Sequence, residues 1–377
     1  MTLRQQLGPP AGYVQVPRFW VMVNQYQLQH ALSVEVHSNN YSEPSRFEVQ
    51  AAVTPASAKF LEEQPSLNVT VQVIALSGTQ VTLIYGLVDS LVYDPINGIM
   101  LFSGRDLAGL LVDAPTEEPF QQSTSSDIAA FFASQWAQYG LLTNITATTT
   151  PVGRYYGLDY DFTTYGQFYR ATNQWDMLLM LAHREGFIVR MDGKTLYFGP
   201  PPMNNGPMRR LAIDSTTPQV QGNTAVTNIA SNAESITLNR SLTLAKDVQV
   251  TVVSWQSLLN KPVVRRVRST NQKAPPGGNG PVQNYVEYVT DATPEQALQY
   301  AQKMLTQITQ RERVVEVTIP GELDLTPSDM VELVGTGTGW DQNYYIDHII
   351  RKLSYEGGFT ETIRLKNVSP STQKFIQ

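Results

Sequence analysis

The chain of 377 residues has no cysteine and only four histidines. The first absence excludes disulfides, thiolate metal centres and a cysteine nucleophile. The histidines, at positions 30, 37, 183 and 348, are widely scattered, and neither His-Glu-X-X-His nor Gly-X-Ser-X-Gly occurs. Charge is scarce too: 16% of residues are Asp, Glu, Lys or Arg, against roughly 25% in ordinary soluble domains. The net charge of −6 argues against a chain built to grip nucleic acid, although a mildly acidic wall suits a passage that DNA traverses without sticking. No apolar run approaches the roughly 18 residues of a membrane-spanning helix, and the first residues, MTLRQQLGPPAGY, do not read as a signal peptide. The expectation is a soluble protein made in a cytoplasm, with no membrane insertion and no cofactor.

What fills the space is Val, Thr, Ser, Asn and Gln, with 18 tyrosines. That mixture favours strands with polar, weakly charged faces, which commonly serve as protein–protein surfaces. The length predicts two or three domains.

Residues 18–23, 46–51, 68–74, 80–89 and 99–103 are short runs of β-branched and aromatic residues, the last after a turn over 94–98. Their spacing suggests a small barrel or sandwich over residues 1–106. The period then changes. Ile128, Phe131, Phe132, Trp136 and Tyr139 fall on one face of a helix over 127–140, with Ser126 or Asp127 as the cap and Gly140 as the stop. A second helix over 173–185 shows Trp175, Leu178, Leu179 and Ala182 in one stripe. Next, Asp192-Gly193 marks a tight hairpin within 187–198. Residues 107–205 therefore read as an α+β middle domain. Strands return at 247–255, 262–269 and 282–290 around a Gly/Pro-rich loop at 274–281. One helix follows, opened by the capping box Thr293-Pro-Glu-Gln296. Strands at 314–319, 330–334, 343–353 and 359–365 complete the chain. Residues 206–377 form a second β domain carrying an inserted loop and helix at about 270–313 and a short tail. The fold class is mainly β: two related small antiparallel β-barrels with an α+β domain between them.

Candidate chemistry is thin. Asp347 and His348 adjoin in a strand, and strand neighbours point to opposite faces, so they cannot jointly hold one ligand. His183 reads as a solvated helix end, where a cation suits the dipole. Asp159 and Asp161 would share a strand face and could in principle do acid–base work, but the five tyrosines around them fit an aromatic interface better. The glycines at 277–280 lack the Gly-Lys-Ser/Thr ending of a phosphate loop. Arg265, Arg266 and Arg268 form the one dense basic cluster, with Arg266 and Arg268 on one strand face. No catalytic, cofactor or metal site is expected, and the chain reads as a non-enzyme.

Several segments, in order, resemble the baseplate hub proteins of contractile-tailed phages. That family comprises the late control protein D group, the Mu-type hub and the hub part of type VI secretion spike proteins. Residues 99–113 (IMLFSGRDLAGLLVD) are similar to its strand, Gly-Arg and short helix leaving the first barrel. Residues 174–186 with the Asp-Gly hairpin and 196–199 are similar to its middle domain. Residues 319–321 with 325–331, and 345–351 with 357–365, are similar to its closing turn and hairpin. The resemblance implies a homotrimer whose six barrels make a pseudo-sixfold ring. Such a ring joins the hexameric tail tube to the central trimeric spike, contacts other baseplate proteins and forms part of a DNA conduit. On that reading Arg105, Asp106, Arg266, Arg268, Gln342, Asp347, Arg351, Thr360, Thr362 and Arg364 are candidate interface residues. The protein would then reside in the tail baseplate of a virion assembled in the host cytoplasm. The alternatives are a tail-associated glycosidase using Asp159 and Asp161, or a carbohydrate-binding tail-fibre component.

Overall fold

The computed structural model describes residues 18–149 and 173–376, with interruptions at 25, 40–42, 75–79, 117–119, 121–122, 202–208, 216–218, 222–223, 227–228, 232, 243–247, 257–259, 272–282, 291, 322, 324 and 368–372. The first unit is built from strands Arg18–Val23, Ala31–Asn39, Arg46–Ala52, Asn68–Ile74, Gln80–Asp94 and Ile99–Asp106 in antiparallel pairs. Their period-two alternation sends Val21, Val36, Phe47, Val49, Val69, Val71 and Phe102 into one core. Ala58 and Leu61 of the helix Pro55–Glu62, which is capped by Thr54, join them.

Strand Ala31–Asn39 is absent from the sequence-based assignment. The ladder slips between Ala31 and Ser33, so the apolar residues Ala31, Val34 and Val36 do not keep a constant period of two. A bulge hides a strand from a pattern search in this way.

The middle unit packs three helices, Ala108–Asp113, Ser125–Gln135 and Gln174–Glu185, against a small sheet. In that sheet Thr195–Gly199 lies between Ile188–Asp192 and Leu142–Ile145. The expected Asp192-Gly193 hairpin is present, with Gly193 at φ +60°. The helix expected over 127–140 is Ser125–Gln135 followed by a tight turn Ala137–Tyr139. Thr124 is its true cap and exchanges bonds with Asp127. Phe131 is partly exposed, whereas Ile128 and Phe132 are core.

The last strands decide the architecture. Strand Gln342–Ser354 pairs along one edge with Gly358–Asn367. Along its other edge, Gln342–Tyr345 pairs with Met330–Val334, and His348–Ser354 pairs with Ser33–Asn39 of the first unit. One strand thus belongs to both β units, and a single fourteen-stranded, largely antiparallel sheet runs through the molecule. Closed barrels, as expected from sequence, are not formed among the described strands. Leu353 and Phe359, at the tip of the closing hairpin, lie in the first core, while Ile346, Ile349, Ile363 and Leu365 lie in the last one.

Residues inserted into the last β unit, joined by a strand from beyond the closing hairpin, make a separate layer. Strands Val248–Gln256, Lys261–Asn271, Gln283–Thr290 and Gln373–Ile376 form a four-stranded sheet, and helix Pro294–Thr309 covers one face. Ala297, Ala301 and Leu305 meet Val248, Val250, Val252, Val263 and Val267 in a core of its own. The Thr293–Gln296 capping box forms as expected.

Candidate assembly surfaces

On the closing hairpin the outer face carries Thr360, Thr362, Arg364 and Lys366, which alternate with core residues. Asp347 accepts from Lys366 at 3.1 Å and lies 4.0 Å from Arg364. The ladder skips a residue between Ile346 and His348, and this has two consequences. Asp347 and His348 both fall between the buried Ile346 and Ile349, on the same outer side. The expectation that they face opposite ways is therefore wrong. Burial holds the His348 imidazole below its ordinary pKa, with Asp347 opposing that shift and Arg364 and His37 adding to it.

The second consequence is that Arg351 is turned inward. It is not an outward contact residue, because the extra residue at Asp347 reverses the face of all that follows. Its guanidinium meets Glu361 at 2.7 Å and also donates to the Leu325 carbonyl. Leu323 N donates to the same Glu361 oxygen at 3.4 Å. Asp106 is likewise buried. It accepts from Ser45 N and Ala108 N at 2.9 and 3.0 Å, tying the strand after residue 45 to the short helix. Burial raises its pKa to about 6. Neither residue is available to a partner.

Arg105 remains at the surface but is occupied. It is bidentate to Asp89, at 2.7 and 2.9 Å, and to Asp113, at 3.0 and 2.7 Å. Those bonds raise its pKa further. Gln342 donates to Asn367 at 2.7 Å, across the base of the hairpin. Arg266 and Arg268 lie opposite Thr251 and Gln249 on the sheet face that helix Pro294–Thr309 leaves bare, sharing a face as their spacing predicts. His183 is not a solvated helix end. It is partly buried, with its pKa lowered by desolvation and by nearby Lys303. Asp159, Asp161, the surrounding tyrosines and the loop 274–281 lie outside the described residues. Among the described residues no cluster of three His, Asp or Glu side chains could hold a metal, and no helix is long and apolar enough to cross a membrane.

The outer face of the closing hairpin is polar. Comparison with solved structures gives the same architecture. A tail protein from Neisseria meningitidis MC58 superposes with a TM-score of 0.67 at 17% identity, covering 94% of this chain and 97% of that one. The fold is that of phage tail proteins. The 43 kDa tail protein of prophage MuSo2 from Shewanella oneidensis gives 0.60 at 14% identity, over 93% and 96% of the two chains. A chain of the Francisella PdpA–VgrG complex gives 0.52 at 11% identity, over all of this chain and 62% of that one. No family model and no curated protein matches the sequence.

Proposed function

We propose that the chain is the structural hub of a contractile phage-type tail: a homotrimer that joins the hexameric tail tube to the trimeric central spike and lets DNA pass through its bore. Its two β units, one centred on residues 18–106 and one after residue 206, act as two similar wall segments, so three chains offer six. The middle unit, 107–205, braces them. The role is mechanical, with no reaction. The observation that carries this reading is the strand Gln342–Ser354, which hydrogen-bonds both β units into one sheet. A symmetry adaptor must hold its two wall segments at a fixed angle, and a shared backbone ladder does so where a linker could not. The likeness to tail proteins over almost the full length of both chains supports the same reading.

Thr360, Thr362, Arg364 and Asp347 on the hairpin, with Gln342 beside them, are the contact residues on the large sheet. Arg266 and Arg268 are those on the small one, and Arg105 sits at the junction of the first and middle units. Other baseplate chains complete the surroundings within the virion, which is assembled in the host cytoplasm. Light scattering at micromolar concentration, with and without the cognate spike, tests the proposal: a trimer mass is expected. A strictly monomeric mass with spike present overturns it.

A further inference from the structure

The four-stranded sheet has an unfinished edge. Its order places Gln283–Thr290 outermost, paired on one side with Val248–Gln256 and with no strand on the other among the described residues. Edge strands are ordinarily defended by Pro, Lys or a bulge. This one, QNYVEYVT, has neither residue; its one charge, Glu287, lies on the helix side, and its ladder runs without a register shift. On the bare face beside it, Val286 is 51% exposed and Tyr288 77% exposed.

The open edge borders a groove of about 410 Å³ between helix Gln174–Glu185 and helix Pro294–Thr309. Leu179, His183, Glu287, Tyr288, Tyr300 and Lys303 are among its lining residues. Lys303 reaches into it with one long bond, 3.4 Å to the Phe187 carbonyl. None of the described carboxylates forms an ion pair with it, and desolvation lowers its pKa to about 8. A cation desolvated beside an unpaired strand edge calls for an anion delivered by an extended backbone.

We infer that this groove is a docking site for an extended segment of another polypeptide, which adds a strand to Gln283–Thr290. Its acidic side chains would point toward Lys303 and its apolar ones would line up beside Val286 and Tyr288. The alternation follows from the strand geometry. In Gln283–Thr290 the residues at 283, 285, 287 and 289 share the side of helix Pro294–Thr309, and those at 284, 286 and 288 share the bare side. An added strand has to keep the same two-sided pattern, with backbone bonds giving affinity and side chains giving selectivity. This site does not depend on the hub reading.

The probe is a fluorescein-labelled, end-blocked octapeptide of alternating Val and Glu, compared by fluorescence anisotropy with a Val/Lys octapeptide. Saturable binding of the Glu peptide is expected, weakened at least tenfold by Lys303→Gln, restored by Lys303→Arg, weakened by Tyr288→Ala and reduced at high salt. Circular dichroism checks that each variant is folded. The inference is overturned by no binding of the Glu peptide, by equal binding of the Lys peptide, or by binding that ignores both Lys303→Gln and Tyr288→Ala, which would place the peptide elsewhere.

Discussion

The Arg351 guanidinium and the Glu361 carboxylate meet at 2.7 Å across neighbouring strands, with side chains only 7% and 0% exposed. They sit where the closing hairpin passes from the last core to the first, between Ile349 and Ile363 on one side and Leu353 and Phe359 on the other. Removing one partner leaves a buried charge. Glu361→Ala or Arg351→Ala should therefore cost about 3–5 kcal/mol, whereas a paired replacement by Met and Leu should recover most of it. Urea unfolding of the two alanine variants and of the variant carrying both alanines measures the coupling. Additive losses would mean that the two charges do not depend on each other.

Gly321 donates to the Phe359 carbonyl at 2.8 Å, and a Cβ on Gly321 would enter the Phe359 ring. Gly321→Ala should destabilise by about 1–3 kcal/mol through this overlap. The second change Phe359→Leu, though itself harmful, should shrink the increment from the alanine. Thermal melts of all four proteins check the cycle.

Asp106 links stability to pH. Its folded pKa of about 6 lies above the ordinary 3.8, so it favours the folded state fully below about pH 4 and loses that contribution as pH rises through 6. Asp106→Asn cannot titrate. It should be less stable throughout, because an amide leaves one of the Ser45 and Ala108 N–H groups without an acceptor. The gap between wild type and variant should narrow between pH 4 and 6.5. Chemical denaturation across that range reads it directly, and a constant gap would contradict the raised pKa.

Thr360 on the outer face lies opposite Lys352. Thr360→Glu should leave the isolated chain within about 0.5 kcal/mol of wild type while weakening trimer formation at low salt. Melting and light scattering on the same samples separate the two effects. Unchanged assembly would remove this face from the contact surface.

Much of this was legible in the sequence. The capping box at Thr293, the Asp192-Gly193 hairpin and the stripe of Trp175, Leu178 and Ala182 are local patterns, and local patterns survive translation into structure. What misled was irregularity. A single extra residue at Asp347 reverses the face of Arg351 and places Asp347 beside His348, and a similar slip near Ala31 conceals a whole strand. The joining of the two β units was equally out of reach, because pairing between His348 and Asn39 leaves no mark within any window of sequence. His183 looked like a solvated helix end because Lys303, which crowds it, lies on a different helix.

The shared strand also sets an order of events in time. Strand Ala31–Asn39 leaves the ribosome early, yet its partner His348–Ser354 and the core residues Leu353 and Phe359 follow roughly 300 residues later, a wait of about 15–60 s at ordinary rates of synthesis. Until then the first β unit has an unsatisfied strand edge and an incomplete core. A nascent chain stalled before residue 340 should thus be protease-sensitive throughout its first hundred residues and prone to stick to its neighbours, while the finished chain closes both units in one step.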